Sequence, residues 1–208
     1  MTFAHWLPFA IASAVLVAIP GPTVLLVVSY ALGHGRRYAL ATTIGVALGD
    51  LTAMSASMLG LGVVLAASAA WFTVLKLGGA AYLIYLGIKL WRAPVGEPGT
   101  ADTSETRTCR IFAHAYAVTT LNPKSIIFFV AFVPQFIDMH LAIWPQIVIF
   151  EATFIGLATL NAFAYAWLAS SARRAIRSTG VQRAINRSGG ALLIGAAIFA
   201  ATWKKAAA

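Results

Sequence analysis

Three ionisable side chains, Asp50, Lys124 and Glu151, stand inside long apolar stretches. At membrane depth such a group costs about 2.5–3.5 kcal/mol to insert and faces a partner or a cavity. Two helix-breaking sequences accompany them, Ile19-Pro20-Gly21-Pro22-Thr23 and Asn122-Pro123-Lys124. Proline removes a backbone donor and clashes with the preceding turn, so a helix must end near Ile19 and restart near Pro22. In a bilayer a break of this kind is tolerated only inside protein or against a wet cavity. Each restart, after Pro22 and after Pro123, presents free N–H groups and the positive end of a helix dipole, which suit a carboxylate. Carbonyls ending the preceding halves, with Asn122 and a carboxylate such as Asp50, suit a cation. An amino acid carries both charges. Lys124 could instead neutralise one of the two acids as a buried pair, which would leave the other acid to be explained.

The elements that position these groups follow from composition. The 208 residues are 60% apolar and 10% charged, with a mean hydropathy of +0.83, whereas a soluble domain has about a quarter of its residues charged. This describes an all-α integral membrane protein. Apolar segments run over 6–32, 38–66, 71–91, 111–137, 142–169 and 189–203, each close to the roughly 20 residues a transmembrane helix needs except the last. Six transmembrane helices are expected, with five spans plus a re-entrant or interfacial segment as the alternative. Ala12-Ser13-Ala14 resembles a signal-peptidase site, but the basic leader is missing and the apolar run resumes after Pro22, so 3–17 reads as half of a broken helix. At 1.5 Å per residue, Asp50 lies roughly 18 Å into its segment and Glu151 roughly 14 Å into its own, both near the midplane.

The two halves of the chain resemble each other. Pro20 and Pro123 break the first and fourth segments, and Asp50 and Glu151 occupy the second and fifth. Gly78-Gly79 and Gly189-Gly190 open the third and sixth, and Trp91-Arg92 and Trp203-Lys204 close them. One insertion before the sixth segment brings all four pairs into register. The expectation is a first three-helix repeat over 1–92, a polar cytoplasmic linker over 93–110 and a second repeat over 111–208. Three helices being odd, the copies are inverted, a plan common among transporters. Arg36, Arg37, Lys89, Arg92, Arg107, Arg110 and the arginines of 173–187 fall on one side, against Lys76, Lys204 and Lys205 on the other. With six spans, this asymmetry puts both termini outside the cytoplasm. The arginine-rich 171–187 loop is expected to lie along the inner membrane surface, against lipid headgroups.

Gly45, Gly49, Ala53 and Ser57 recur at intervals of four, a small-residue seam for close helix packing, and Gly78, Gly79, Gly189 and Gly190 offer the same in the third and sixth segments. Asp50 lies beside this seam, with Thr43 and Ser57 on its own face seven residues either way. The net charge of +9 sits in loops rather than in an aromatic-interleaved module, which argues against nucleic acid. Cys109 is single, and His5, His34, His114 and His140 are scattered, so neither a dithiol relay nor a soft-metal site is expected. No cofactor is called for. Leu48-Gly49-Asp50 partly matches the Gly-x-Gly-Asp motif of intramembrane aspartyl proteases, but Ala47 replaces the first glycine and a second membrane aspartate is missing.

Pro20-Gly21-Pro22-Thr23, Gly35-Arg36-Arg37, Gly45, Gly49 and Asp50, Asn122-Pro123-Lys124, Phe128-Phe129 and Phe132-Val133-Pro134-Gln135-Phe136 together resemble the LysE/RhtB superfamily of amino-acid exporters, in order and spacing over the whole chain. The resemblance implies a bacterial inner-membrane carrier, a possible homodimer, that expels amino acids or their derivatives against protons. The basic-substrate branch of that family carries histidine and aspartate where this chain has Lys124 and Phe128. The charge balance points to the neutral, RhtB-like branch: threonine, homoserine, homoserine lactone or branched-chain types. On this reading Pro20, Gly21, Pro22, Thr23, Asp50, Asn122, Pro123 and Lys124 bind substrate, and Asp50 and Glu151 couple protons. Export of another small solute or a metal ion by the same fold is the alternative, and an intramembrane enzyme is a more distant one.

Overall fold

The computed structural model describes residues 3–34, 38–67, 69–95, 107–138, 140–171 and 178–202. Among them the chain is all-helical: α1 (Phe3–Ala18), α2 (Pro22–His34), α3 (Ala39–Ala67), α4 (Ala69–Trp91), α5 (Thr108–Thr120), α6 (Pro123–Ala131), a 3-10 turn (Val133–Gln135), α7 (Ile143–Ser171) and α8 (Thr179–Thr202). Both proline breaks fall where the sequence puts them. α1 and α2 bend by 49° across Ile19–Gly21, and α5 and α6 by 42° across Leu121-Asn122.

By length and composition α3 and α7 can each cross a membrane alone, and each bent pair can do so as one broken span. Residues 77–91 of α4 form a shorter apolar helix. The sixth segment differs from expectation. α8 begins at Thr179, so 179–188 is the first part of a helix and not a surface loop. Apolar length does not reveal it because its opening turns are amphipathic: Arg183, Ala184, Arg187 and Ser188 are exposed while Gln182, Ile185 and Asn186 are half-buried. Arg36, Arg37, the central linker 96–106, Arg173, Arg174, Arg177 and the C-terminal lysines lie outside the described residues.

α4 packs along α8, α3 along α5 and α7, α7 also against α1 and α2, and α6 against α3 and α4. The glycines explain the closeness. A Cβ on Gly45 would lie 2.7 Å from the Phe112 carbonyl, and one on Gly49 would lie 2.7 Å from Thr119 Cβ, so α3 and α5 touch backbone to backbone. Ala53 continues the seam, buried. A Cβ on Gly190 would meet the Gly87 carbonyl at 2.6 Å, one on Gly189 would meet Leu90 at 3.0 Å, and one on Gly79 would collide with Ala131. Gly78 corrects the expectation: it faces open space, and Gly87 supplies the second close approach on α4.

The core around α1, α6 and α7 is filled by aromatic rings. Phe9 of α1 packs on Phe150 with centroids 4.4 Å apart, Phe129 meets Phe154 edge-on at 4.7 Å, and Phe128 stacks on Phe132 at 5.4 Å. All six rings are buried. Phe128 is therefore part of a buried aromatic cluster.

Candidate functional site

The site begins with the end of α1. A helix leaves its last carbonyls without intrahelical partners, and at membrane depth water does not supply them. Here each is answered by a side chain from another helix. Lys124 Nζ donates to the Leu16 carbonyl at 2.9 Å and to the Ile19 carbonyl at 2.8 Å. Asn161 Nδ2 donates to Val17 O at 2.8 Å and the Tyr165 hydroxyl to Ala18 O at 2.9 Å. The broken helix is thus terminated by α6 and α7.

The second break is built differently. Asn122, 2% exposed, caps α6 by accepting from the Lys124 backbone N–H at 3.1 Å, and its Nδ2 donates to Thr23 Oγ1, also at 3.1 Å. Thr119 Oγ1 donates to the same Thr23 oxygen at 3.3 Å. Thr23 opens α2 and Asn122 opens α6, so the two restarts are tied together. Gly21, across the break, leaves room for the lysine: a Cβ there would lie 3.3 Å from Lys124 Nζ.

Asp50 comes to this junction from α3. It is 4% exposed, and its Oδ1 is buried without a hydrogen-bond partner, as is Thr43 Oγ1 two turns earlier on the same face. An unsatisfied buried acceptor is costly, by about 1–3 kcal/mol. Asp50, Thr23, Asn122, Lys124, Ser125 and Asn161 line one partly open cavity of about 30 Å³, large enough for water but not for an amino acid. A second cavity of about 300 Å³ lies on the other side of the breaks, between Pro20-Gly21-Pro22, Leu25, Leu86, Lys89, Pro123 and Leu193. Asn122 and Lys124 border both. The structure therefore gathers Thr23, Asp50, Asn122 and Lys124 around the small chamber and Pro20, Gly21, Pro22 and Pro123 around the large one.

Glu151 stands apart. It accepts from Ser55 Oγ at 2.6 Å, five residues along α3 from Asp50 and so about 7 Å farther along the axis. Trp6 Nε1 donates to Thr153 Oγ1 at 3.0 Å two residues on from Glu151. Asn161 and Tyr165 are not conspicuous in the sequence. Their one signal is a pair of polar side chains four apart on an apolar segment, which places them on one helix face.

Asn161→Ala leaves the Val17 carbonyl unanswered and is expected to cost about 1–3 kcal/mol of unfolding free energy. Tyr165→Phe, at a more open position, is expected to cost less, about 0.5–1.5 kcal/mol. Equilibrium unfolding of the purified variants in detergent measures both, and two unchanged midpoints would remove the capping role.

Comparison with known proteins gives one consistent answer. A family profile described as LysE type translocator matches residues 14–203. An uncharacterized membrane protein of Vibrio cholerae is 33% identical over 96% of this chain and 97% of its own length. A homoserine/homoserine lactone efflux protein of Salmonella typhimurium is 33% identical over 97% of this chain and 98% of its own. A leucine efflux protein of Klebsiella pneumoniae is 27% identical over 79% of this chain and 76% of its own. No solved structure matches.

Proposed function

Because the chain belongs to the LysE type translocator family and is a multi-pass protein of the bacterial inner membrane, we propose that it exports neutral amino acids or their derivatives in exchange for protons. The observation that carries this reading is Asp50: a buried carboxylate with a free oxygen, on a polar chamber where two broken helices meet. The substrate's ammonium group supplies the donors that Asp50 lacks. The relatives' names support the choice of group. Homoserine, its lactone and leucine share an α-amino group, whereas the lactone has no free carboxylate.

The carboxylate of a free amino acid goes to the helix restarts at Pro22 and Pro123. Lys124 helps with the one donor of its three that the Leu16 and Ile19 carbonyls leave over. The substrate arrives through the large cavity, which Lys89 lines, and Phe154 of the aromatic cluster forms a wall of the small chamber. The small chamber, about 30 Å³, is too small for an amino acid, so helices must separate before a substrate reaches Asp50. Two inverted three-helix repeats, 1–92 and 111–208, supply such a motion. The packing of α3 on α5 and α6 has its counterpart in that of α7 on α1 and α2, which supports this division. Protons enter by way of Glu151, and loss of the ammonium from Asp50 to the outside lets a proton take its place and the empty carrier return.

Expression in an exporter-deficient host, with amino acids measured in the medium, identifies the substrate; vesicles loaded with it then test coupling. Efflux should rise with an imposed pH gradient and fall when a protonophore collapses it, and indifference to both would exclude proton exchange. Glu151→Gln should separate the two acids. The amide keeps a bond to Ser55, so substrate-for-substrate exchange without a pH gradient continues, while gradient-driven efflux falls about tenfold, equivalent to about 1.4 kcal/mol. Equal loss of both would put Glu151 in the binding site.

A further inference from the structure

The end of α1 has the make-up of a cation site. Two backbone carbonyls, Leu16 and Ile19, converge on a single point, and the chamber beside them adds the Asp50 carboxylate and the Asn122 side chain. Neutral and anionic oxygens of this sort around a small polar volume are the donor set for a hard cation. The point of convergence is filled by Lys124 Nζ. Its side chain is 7% exposed, it reaches from α6 across to α1, and it occupies the space that a side chain at Gly21 would contest.

We propose that this is a monovalent-cation site whose resident occupant is the chain's own lysine ammonium, and that removing the side chain exposes a vacancy with affinity for ammonium-type ions. Three features distinguish this from ordinary helix capping. The two neighbouring carbonyls, Val17 and Ala18, are capped by the neutral groups of Asn161 and Tyr165, so capping alone does not require a charge. The Leu16 carbonyl already accepts from the Ile19 backbone N–H at 3.3 Å, so it does not depend on the lysine for a partner. The Asp50 carboxylate shares the chamber without a donor on Oδ1, so a positive charge there offsets a negative one at short range.

The test uses the whole chain in detergent and reads thermal unfolding, so it does not depend on the transported substrate or on the export reading. Lys124→Ala should unfold at a lower temperature than the unsubstituted protein. Ammonium or methylammonium chloride should restore it with a saturable dose curve that choline chloride at equal ionic strength does not give. The unsubstituted protein should respond to all three salts alike. If ammonium moves Lys124→Ala no more than choline does, the site has no affinity for a free cation and the proposal is overturned.

A second comparison holds even where Lys124→Ala does not fold. Lys124→Gln keeps N–H donors for the carbonyls and lacks the charge. It should be destabilising beside Asp50 and close to neutral in an Asp50→Asn background. An equal effect in both backgrounds would reduce Lys124 to a cap and overturn the cation assignment.

Discussion

Replacing Asp50 by asparagine is expected to lower substrate export by ten- to a hundredfold while leaving the protein folded in the membrane. The size follows from the charge-assisted bond that the amide cannot make to the substrate's ammonium. A hydrogen bond to a charged group is worth about 1.5–3 kcal/mol, and each 1.4 kcal/mol is about a factor of ten in affinity. The fold survives because Asp50 Oδ1 makes no hydrogen bond that the substitution would break, although the Lys124 ammonium loses the negative charge that offsets it and part of the stability goes with it. Asparagine also fits the same volume between Asn122, Ser125 and Phe154. Unlike Glu151→Gln, this change should lower substrate exchange without a gradient as much as gradient-driven efflux, because both require the ammonium to bind. Flux from preloaded vesicles, set beside the amount of folded protein recovered from the same membranes, decides it. Wild-type flux with normal protein would remove Asp50 from the binding site. Loss of flux together with loss of folded protein would make Asp50 a structural residue.

The parts of this site that can be read from the chain are those whose chemistry is local. A proline pair breaks a helix whatever surrounds it, so both breaks are legible to within a residue or two, and Asn122 is visible beside the second. An ionisable group in an apolar run is conspicuous for its cost, which singles out Asp50, Lys124 and Glu151 without any geometry. What cannot be read is partnership. Periodicity makes Asp50 and Glu151 equivalents, yet Asp50 opens onto the chamber and Glu151 binds Ser55 a turn and a half away. Lys124 reads as a counter-ion or a carboxylate ligand, and its Nζ is committed to carbonyls far upstream in sequence. Asn161 and Tyr165 carry too little signal, since an uncharged polar group in a membrane helix often bonds only within its own helix. Adjacent glycines pose the same difficulty. Gly78 and Gly79 differ by about 100° around α4, and only the packed neighbour decides which of them is needed.

That neighbour gives the last expectation its contrast. Gly49→Ala should destabilise the protein by about 1–3 kcal/mol, the usual cost of overpacking, whereas Gly78→Ala should be neutral. A Cβ on Gly49 would sit 2.7 Å from Thr119 Cβ and 2.9 Å from the Tyr116 carbonyl. Those atoms belong to the α5 backbone and the root of a β-branched side chain, so neither can swing away, and α3 must retreat from α5 as a unit. Gly78 meets nothing within 4 Å. The retreat also carries a functional consequence, because Asp50 is the next residue on α3, while Thr119 and Asn122 hold Thr23 from the α5 side. Moving α3 away from α5 therefore widens the chamber on the side where the carboxylate must meet the two restarts. Export by Gly49→Ala should fall together with its stability, and Gly45→Ala, one turn earlier against the Phe112 carbonyl, should lose comparable stability with a smaller drop in export, since it is farther from the carboxylate. Unfolding midpoints and vesicle flux measured on all three variants test the order. A Gly49→Ala protein as stable as Gly78→Ala would mean that α3 and α5 are not in backbone contact, and the position of Asp50 would have to be rebuilt with them.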